Sequence, residues 1–158
     1  MRTLVATVGY RNLSDFSVGP NLLTDLQAVE WRPGIEVEDL SYGPIAVVQN
    51  LEDRPPYDRM VFVSAAKRDR TPARVYRYLW NKPLPSPDEI QSRIGEAITG
   101  VISLDNLLII GQYFRVLAPE VVVIEVEPLA CDSGESCSPS VSNLLPAIIK
   151  AVKEEAHA

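Results

Sequence analysis

Apolar side chains along this chain fall into short unbroken runs alternating with stretches of helical spacing. Leu4-Val5-Ala6-Thr7-Val8, closed by Gly9, has the character of a buried parallel strand. Ser14 or Asp15 then offers a cap for a helix on which Val18, Leu22, Leu26 and Val29 share a face. Pro33-Gly34 breaks that helix, and Ile35 to Leu40 alternates apolar with acidic side chains, as a more exposed strand does. Gly43-Pro44 turns the chain into a short helix from Ile45 to Leu51. Arg54-Pro55-Pro56-Tyr57 is an extended link into Met60-Val61-Phe62-Val63, the expected central strand.

The second half continues the alternation. Val75 to Trp80 follows a short turn at Thr71-Pro72 and is placed as an antiparallel edge strand whose charges guard the edge. Asn81 to Pro87 is a proline-rich loop. Asp88 to Ile98 and Leu104 to Phe114 have helical composition, joined near Gly100. Val121 to Val126 is a β-branched strand, and Ser138-Pro139 starts a terminal helix with Val141, Leu144, Leu145, Ile148, Ile149 and Val152 on its apolar face. Strands alternating with helices imply right-handed crossovers, so the expected fold is a three-layer α/β/α sandwich with a mostly parallel sheet of about five strands. In such sheets ligands bind at the carboxyl ends of strands, which directs attention to the loops after Val8, Leu40, Val63 and Val126.

Composition narrows the picture. The 158 residues are one domain's worth of chain, here residues 1–158, and the 46% hydrophobic and 23% charged content is that of a folding protein. A net charge of −6 and a pI near 4.8 disfavour nucleic acid as partner. The one basic cluster, Lys67, Arg68, Arg70, Arg74 and Arg77, is interrupted by Asp69 and reads as a solvated turn. No apolar stretch has membrane-spanning length and no signal peptide is evident, so a cytoplasmic protein is expected, without membrane association. Cys131 and Cys137 share one loop and are read as reduced thiols, although such a pair can oxidise or hold a metal. His157 is the only histidine and is expected in an exposed tail. Without an internal histidine, Ser-His-Asp and Cys-His catalysis have no base, and no phosphate-binding glycine loop is present.

The loop Val8-Gly9-Tyr10-Arg11-Asn12-Leu13-Ser14-Asp15-Phe16-Ser17-Val18-Gly19 resembles the opening motif of the hydrogenase maturation proteases, nickel-dependent endopeptidases that trim the C-terminus of a nickel-iron hydrogenase large subunit. Asp58 to Ala65 resembles that family's central strand, Pro72-Ala73-Arg74-Val75 the strand entry after it, Val121 to Pro128 the late strand, and Ser138 to Val141 the start of the last helix. The resemblance implies a metal site of one acid in the first loop, one aspartate ending the central strand and one late histidine. Carried onto this chain, the first falls at Phe16, the second at Ser64 and the third within Val101 to Ser103, none of which is such a ligand. No metal and no other cofactor is therefore expected.

The resemblance thus implies a catalytically degenerate relative that binds a hydrogenase large subunit or its C-terminal segment, or an active maturation protease, with Asp15, Phe16, Asp39, Gly43, Ser64 and Ser103 as its binding-cleft positions. Two alternatives stand beside it. One is an active endopeptidase with a relocated acidic site on Asp15 and Asp39, with Asp105 and Glu127 as further acids. The other is a structural subunit that self-associates through the edge strand near Tyr76. Either a monomer or a homodimer is compatible with the sequence.

Overall fold

In the computed structural model, which describes residues 1–134 and 136–158, strand β1 (Thr3–Thr7) is buried at every position, as a strand covered on both faces must be. It runs parallel to β2 (Ile35–Asp39) on one side and to β3 (Arg59–Ala65) on the other. At the far edge β4 (Val75–Leu79) lies antiparallel to β5 (Glu120–Val126), and β5 is parallel to β3. The sheet order is β2-β1-β3-β5-β4, so the expected central strand and antiparallel edge strand both stand where the pattern put them.

Among the described residues the helices are α1 (Val18–Gln27), α2 (Pro44–Glu52), α3 (Pro87–Ile98), α4 (Leu104–Tyr113), α5 (Pro139–Ser142) and α6 (Leu145–Ala156), and they flank the two faces of the sheet. Strand pleating sends alternate residues to opposite sides. Leu4, Ala6, Met60, Phe62, Val121 and Val123 pack with Val47 and Leu51 of α2 and Leu104, Leu107 and Leu108 of α4. Val5, Val61, Val63, Val122 and Ile124 meet Val18, Leu22 and Leu26 of α1 and Ile148 and Val152 of α6. α3 lies outside the first layer, where Ala97 joins Val48 and Ile110. The result is the three-layer sandwich expected from the sequence.

Helix boundaries differ from the sequence reading at three points, the first being that α1 ends at Gln27 and leaves Val29 outside it. Ser14–Ser17 forms a 3-10 turn ahead of α1, and neither Ser14 nor Asp15 caps that helix. The predicted single terminal helix is two, because Pro146 lies in the first turn of α6 and a proline ring cannot sit inside a continuous helix. Among the described residues no helix is long and apolar enough to cross a membrane. His157 ends α6 and is exposed, yet it is not a loose tail: its ring stacks on Trp31 at 5.4 Å.

Candidate functional site

Connections leave β1 for β2 on one side and reach β3 on the other, so the carboxyl ends of β1 and β3 form the switch point at which open α/β sheets hold ligands. A cavity of about 330 Å³ opens there, between Val8 to Tyr10 after β1, Ser64 to Arg68 at the end of β3, and Val101 to Asp105 at the start of α4. Two glycines shape it. A Cβ on Gly9 would sit 2.5 Å from the Phe16 carbonyl oxygen, so only glycine lets the loop fold back and set Phe16 over the strand ends. A Cβ on Gly19 would meet the carbonyls of Val8 and Val63 at 2.9 and 3.0 Å, so glycine also seats α1 against both strands.

Phe16, Ser64 and Ser103 line this one cavity, together with Val101 and Ile102. Its hydroxyls are already engaged. Ser64 Oγ is buried and donates to the Val8 carbonyl at 2.7 Å, while Ser103 caps α4 by accepting the Asn106 N–H. Across the cavity, Tyr10 Oη accepts the Ile102 N–H at 2.8 Å and ties the two walls together. Benzyl, hydroxymethyl and aliphatic groups at these positions supply neither carboxylate nor imidazole, so the donor set does not fit a nickel ion. Among the described residues no three His, Cys, Asp or Glu side chains converge to hold a metal.

The other three sequence candidates lie outside the cavity lining. Asp15 is fully buried. Its Oδ2 accepts the N–H groups of Leu129 and Ala130 at 2.8 and 2.7 Å and the Ser138 hydroxyl at 2.9 Å, and its Oδ1 accepts the Ser138 N–H at 2.7 Å. Burial pushes this carboxyl up, and the four donors together outweigh it and hold it below its ordinary range. Asp15 is the clamp of the 129–138 loop, with Ser14 N–H to Gly134 and Gly134 N–H to Asn12 stitching the same two loops. Cys131 and Cys137 in that loop are free thiols. Asp39 accepts from Thr7 Oγ1 and Ser41 N–H and pairs with Arg11, which ties β2 to β1. Gly43 precedes Pro44 as the cap residue of α2.

Arg68 and Arg70 of the basic cluster are held in ion pairs, whereas Lys67 and Arg74 are exposed as the composition suggests. Glu125 sits inside β5 with no exposure and binds Arg68 Nε at 2.7 Å and Arg70 Nη2 at 2.7 Å. Arg68 also grips Asp105 with both terminal nitrogens, at 3.1 and 2.8 Å. Arg70 reaches Glu127 at 2.8 Å and lies over the Tyr76 ring at 4.1 Å. Asp105 and Glu127 are thus paired acids, not solvated ones. Burial first, then the Glu125 charge, pushes the Tyr78 hydroxyl up to about 12. Arg77 is taken up by Glu154 and Glu155 of α6. Sequence reasoning missed this network, although a glutamate within Val-Val-Val-Ile-Glu-Val is a signal that a buried cation must face it.

Solved structures share this arrangement of elements. The hydrogenase 2 maturation peptidase from Thaumarchaeota archaeon SCGC_AB-539-E09 aligns over 98% of this chain and 97% of its own, with a TM-score of 0.66 and 23% identity. The hydrogenase maturating endopeptidase HybD from E. coli covers 96% of this chain and 90% of its own, with a TM-score of 0.71 and 16% identity. This chain has the hydrogenase maturation endopeptidase fold. The maturation protease HycI from Thermococcus kodakarensis agrees, with a TM-score of 0.69 and 18% identity over 99% of this chain and 93% of its own. No protein-family model and no curated protein matches the sequence. At these identities the shared property is the fold, which matches the resemblance first carried by the loop after β1 and the ends of β3 and β5.

Proposed function

We propose that the protein is a maturation protease-like binding protein that holds a hydrogenase large subunit, or its C-terminal segment, without cleaving it through a nickel site. The observation that carries this reading is the convergence of Phe16, Ser64 and Ser103 on one cavity at the β1/β3 switch point, each bearing a group that cannot serve the metal. The cavity is sized and lined for an apolar side chain of an extended segment. The nearest carboxylate, Asp105, is held by both terminal nitrogens of Arg68, and Asp15 is closed off beneath the 129–138 loop. Both therefore serve structure before chemistry.

The test is to incubate the protein with nickel and a large-subunit precursor, then measure bound metal and precursor mass. A stable complex with uncut precursor and no stoichiometric nickel is the expected result. A shortened precursor, or one nickel per chain, would reject the proposal.

A further inference from the structure

A second cavity of about 290 Å³ adjoins the first. It is lined by Trp80, Lys82, Glu89 and Arg93, and it shares Arg68 and Asp105 with the first cavity. The Arg68–Asp105 bridge is therefore the common wall of two hollows. An extended chain crossing it can place residues i and i+2, which share one face of a strand, one in each hollow.

Charge along this groove differs from charge over the chain as a whole. The acids that line it are paired, Asp105 with Arg68 and Glu89 with Arg93, and the buried Glu125 and Glu127 bind Arg68 and Arg70. Arg93 is further held by Asn106. Two cations lining the groove have no side-chain partner among the described residues, Lys67 in the first cavity and Lys82 in the second. Counted over the charged residues that line the two cavities, Lys67, Arg68, Lys82 and Arg93 stand against Glu89 and Asp105, an excess of two positive charges on a chain of net charge −6.

We infer that the groove takes an extended peptide segment with an apolar residue seated against Phe16 and acidic groups on either side, read by Lys67 and Lys82. This inference rests on the peptide-binding reading above and specifies the chemistry of the segment. Charged groups at a rim select partners and raise the association rate more than they add affinity, so the signature is a charge preference that weakens with salt.

The probes are three fluorescein-labelled heptapeptides with a central leucine flanked by glutamates, glutamines or lysines, titrated with the full chain at low and physiological ionic strength and read by anisotropy. The glutamate peptide binds tightest, and Lys67→Gln and Lys82→Gln each weaken it by roughly two- to five-fold, as an exposed ion pair does. Neither substitution changes the glutamine peptide, and Lys150→Gln on α6 changes none of the three. Equal binding of glutamate and lysine peptides, or a Lys150→Gln effect as large as the other two, overturns the inference. Large-subunit precursor binding separates the two levels. Precursor bound with no glutamate preference sinks the groove chemistry alone. Glutamate preference without precursor binding supports the groove chemistry and sinks the proposed partner.

Discussion

Asp15→Asn isolates what one buried carboxylate does for a loop that begins 114 residues later in the chain. The best orientation of the amide leaves its oxygen at the Oδ2 place, facing Leu129 N–H, Ala130 N–H and the Ser138 hydroxyl, and turns the NH2 toward the Ser138 N–H. One donor loses its acceptor, and three bonds drop from charged to neutral strength. Taking about 1 kcal/mol for the unpaired donor and about 0.5 kcal/mol for each weakened bond, the cost is about 2–3 kcal/mol. Urea unfolding followed by fluorescence at neutral pH reads this as a lower midpoint at unchanged slope. The pH dependence has a definite sign. Because the folded carboxyl lies below its ordinary value of 3.8, its contribution is complete above that pH and is lost as pH falls through the lower folded value. The gap between wild type and Asp15→Asn therefore narrows on acidification below about pH 4. A neutral-pH cost under about 0.5 kcal/mol, or a gap that stays constant into acid, would refute the clamp.

Three further outcomes follow from the same geometry. Gly9→Ala places a methyl against the Phe16 carbonyl and is expected to cost about 1–3 kcal/mol in thermal unfolding and to abolish precursor binding by displacing Phe16. Phe62→Ala removes a fully buried ring from the middle of β3 and should lower unfolding stability by about 3–5 kcal/mol in urea titrations, leaving the sheet order intact by circular dichroism. Glu125→Gln leaves Arg68 and Arg70 facing a neutral amide, and chemical denaturation is expected to show a loss of about 2–4 kcal/mol; a change within about 0.5 kcal/mol would mean that Asp105 and Glu127 suffice to hold both arginines.

Much of the architecture was legible because its causes are local. Buried parallel strands read as unbroken apolar runs, and β4 betrayed its edge position through alternating Arg and Tyr. The helix breaks were less visible. Pro146 has the same composition cost wherever it falls, and only packing decides whether a helix bends or starts afresh there. Ser14 and Asp15 looked like cap residues because short polar side chains favour caps. In the fold their partners come from the same distant loop: Ser14 donates to the Asp132 and Gly134 carbonyls, and the Asp15 carboxylate accepts from Leu129, Ala130 and Ser138, a long-range choice that propensity cannot express. The ionic network failed for the same reason. Glu125 announced a need for a cation, but Arg68 stands 57 residues away and its own neighbours suggested a solvated turn.

The engaged state of the cavity hydroxyls carries the last step. Ser64 is buried and donates its hydroxyl to the Val8 carbonyl, and the Ser103 oxygen accepts from the first turn of α4, so the cavity offers a bound chain few free polar groups. Groups held in this way fix the walls; they discriminate by shape and by exclusion of charge. A segment bound here is chosen inside the cavity for an apolar side chain of the right size, and any polar choice falls to the rim, where Lys67 and Lys82 remain without partners among the described residues. Enlarging the cavity and neutralising the rim should therefore act independently. Phe16→Ala is expected to relax preference for the size of the central residue while leaving the glutamate preference intact, and Lys67→Gln is expected to do the reverse. Contacts that act separately give additive changes in binding free energy. If the Phe16→Ala, Lys67→Gln double variant instead loses no more affinity than one single variant, measured with the same labelled peptides, then cavity and rim are one recognition unit and this division of labour is wrong.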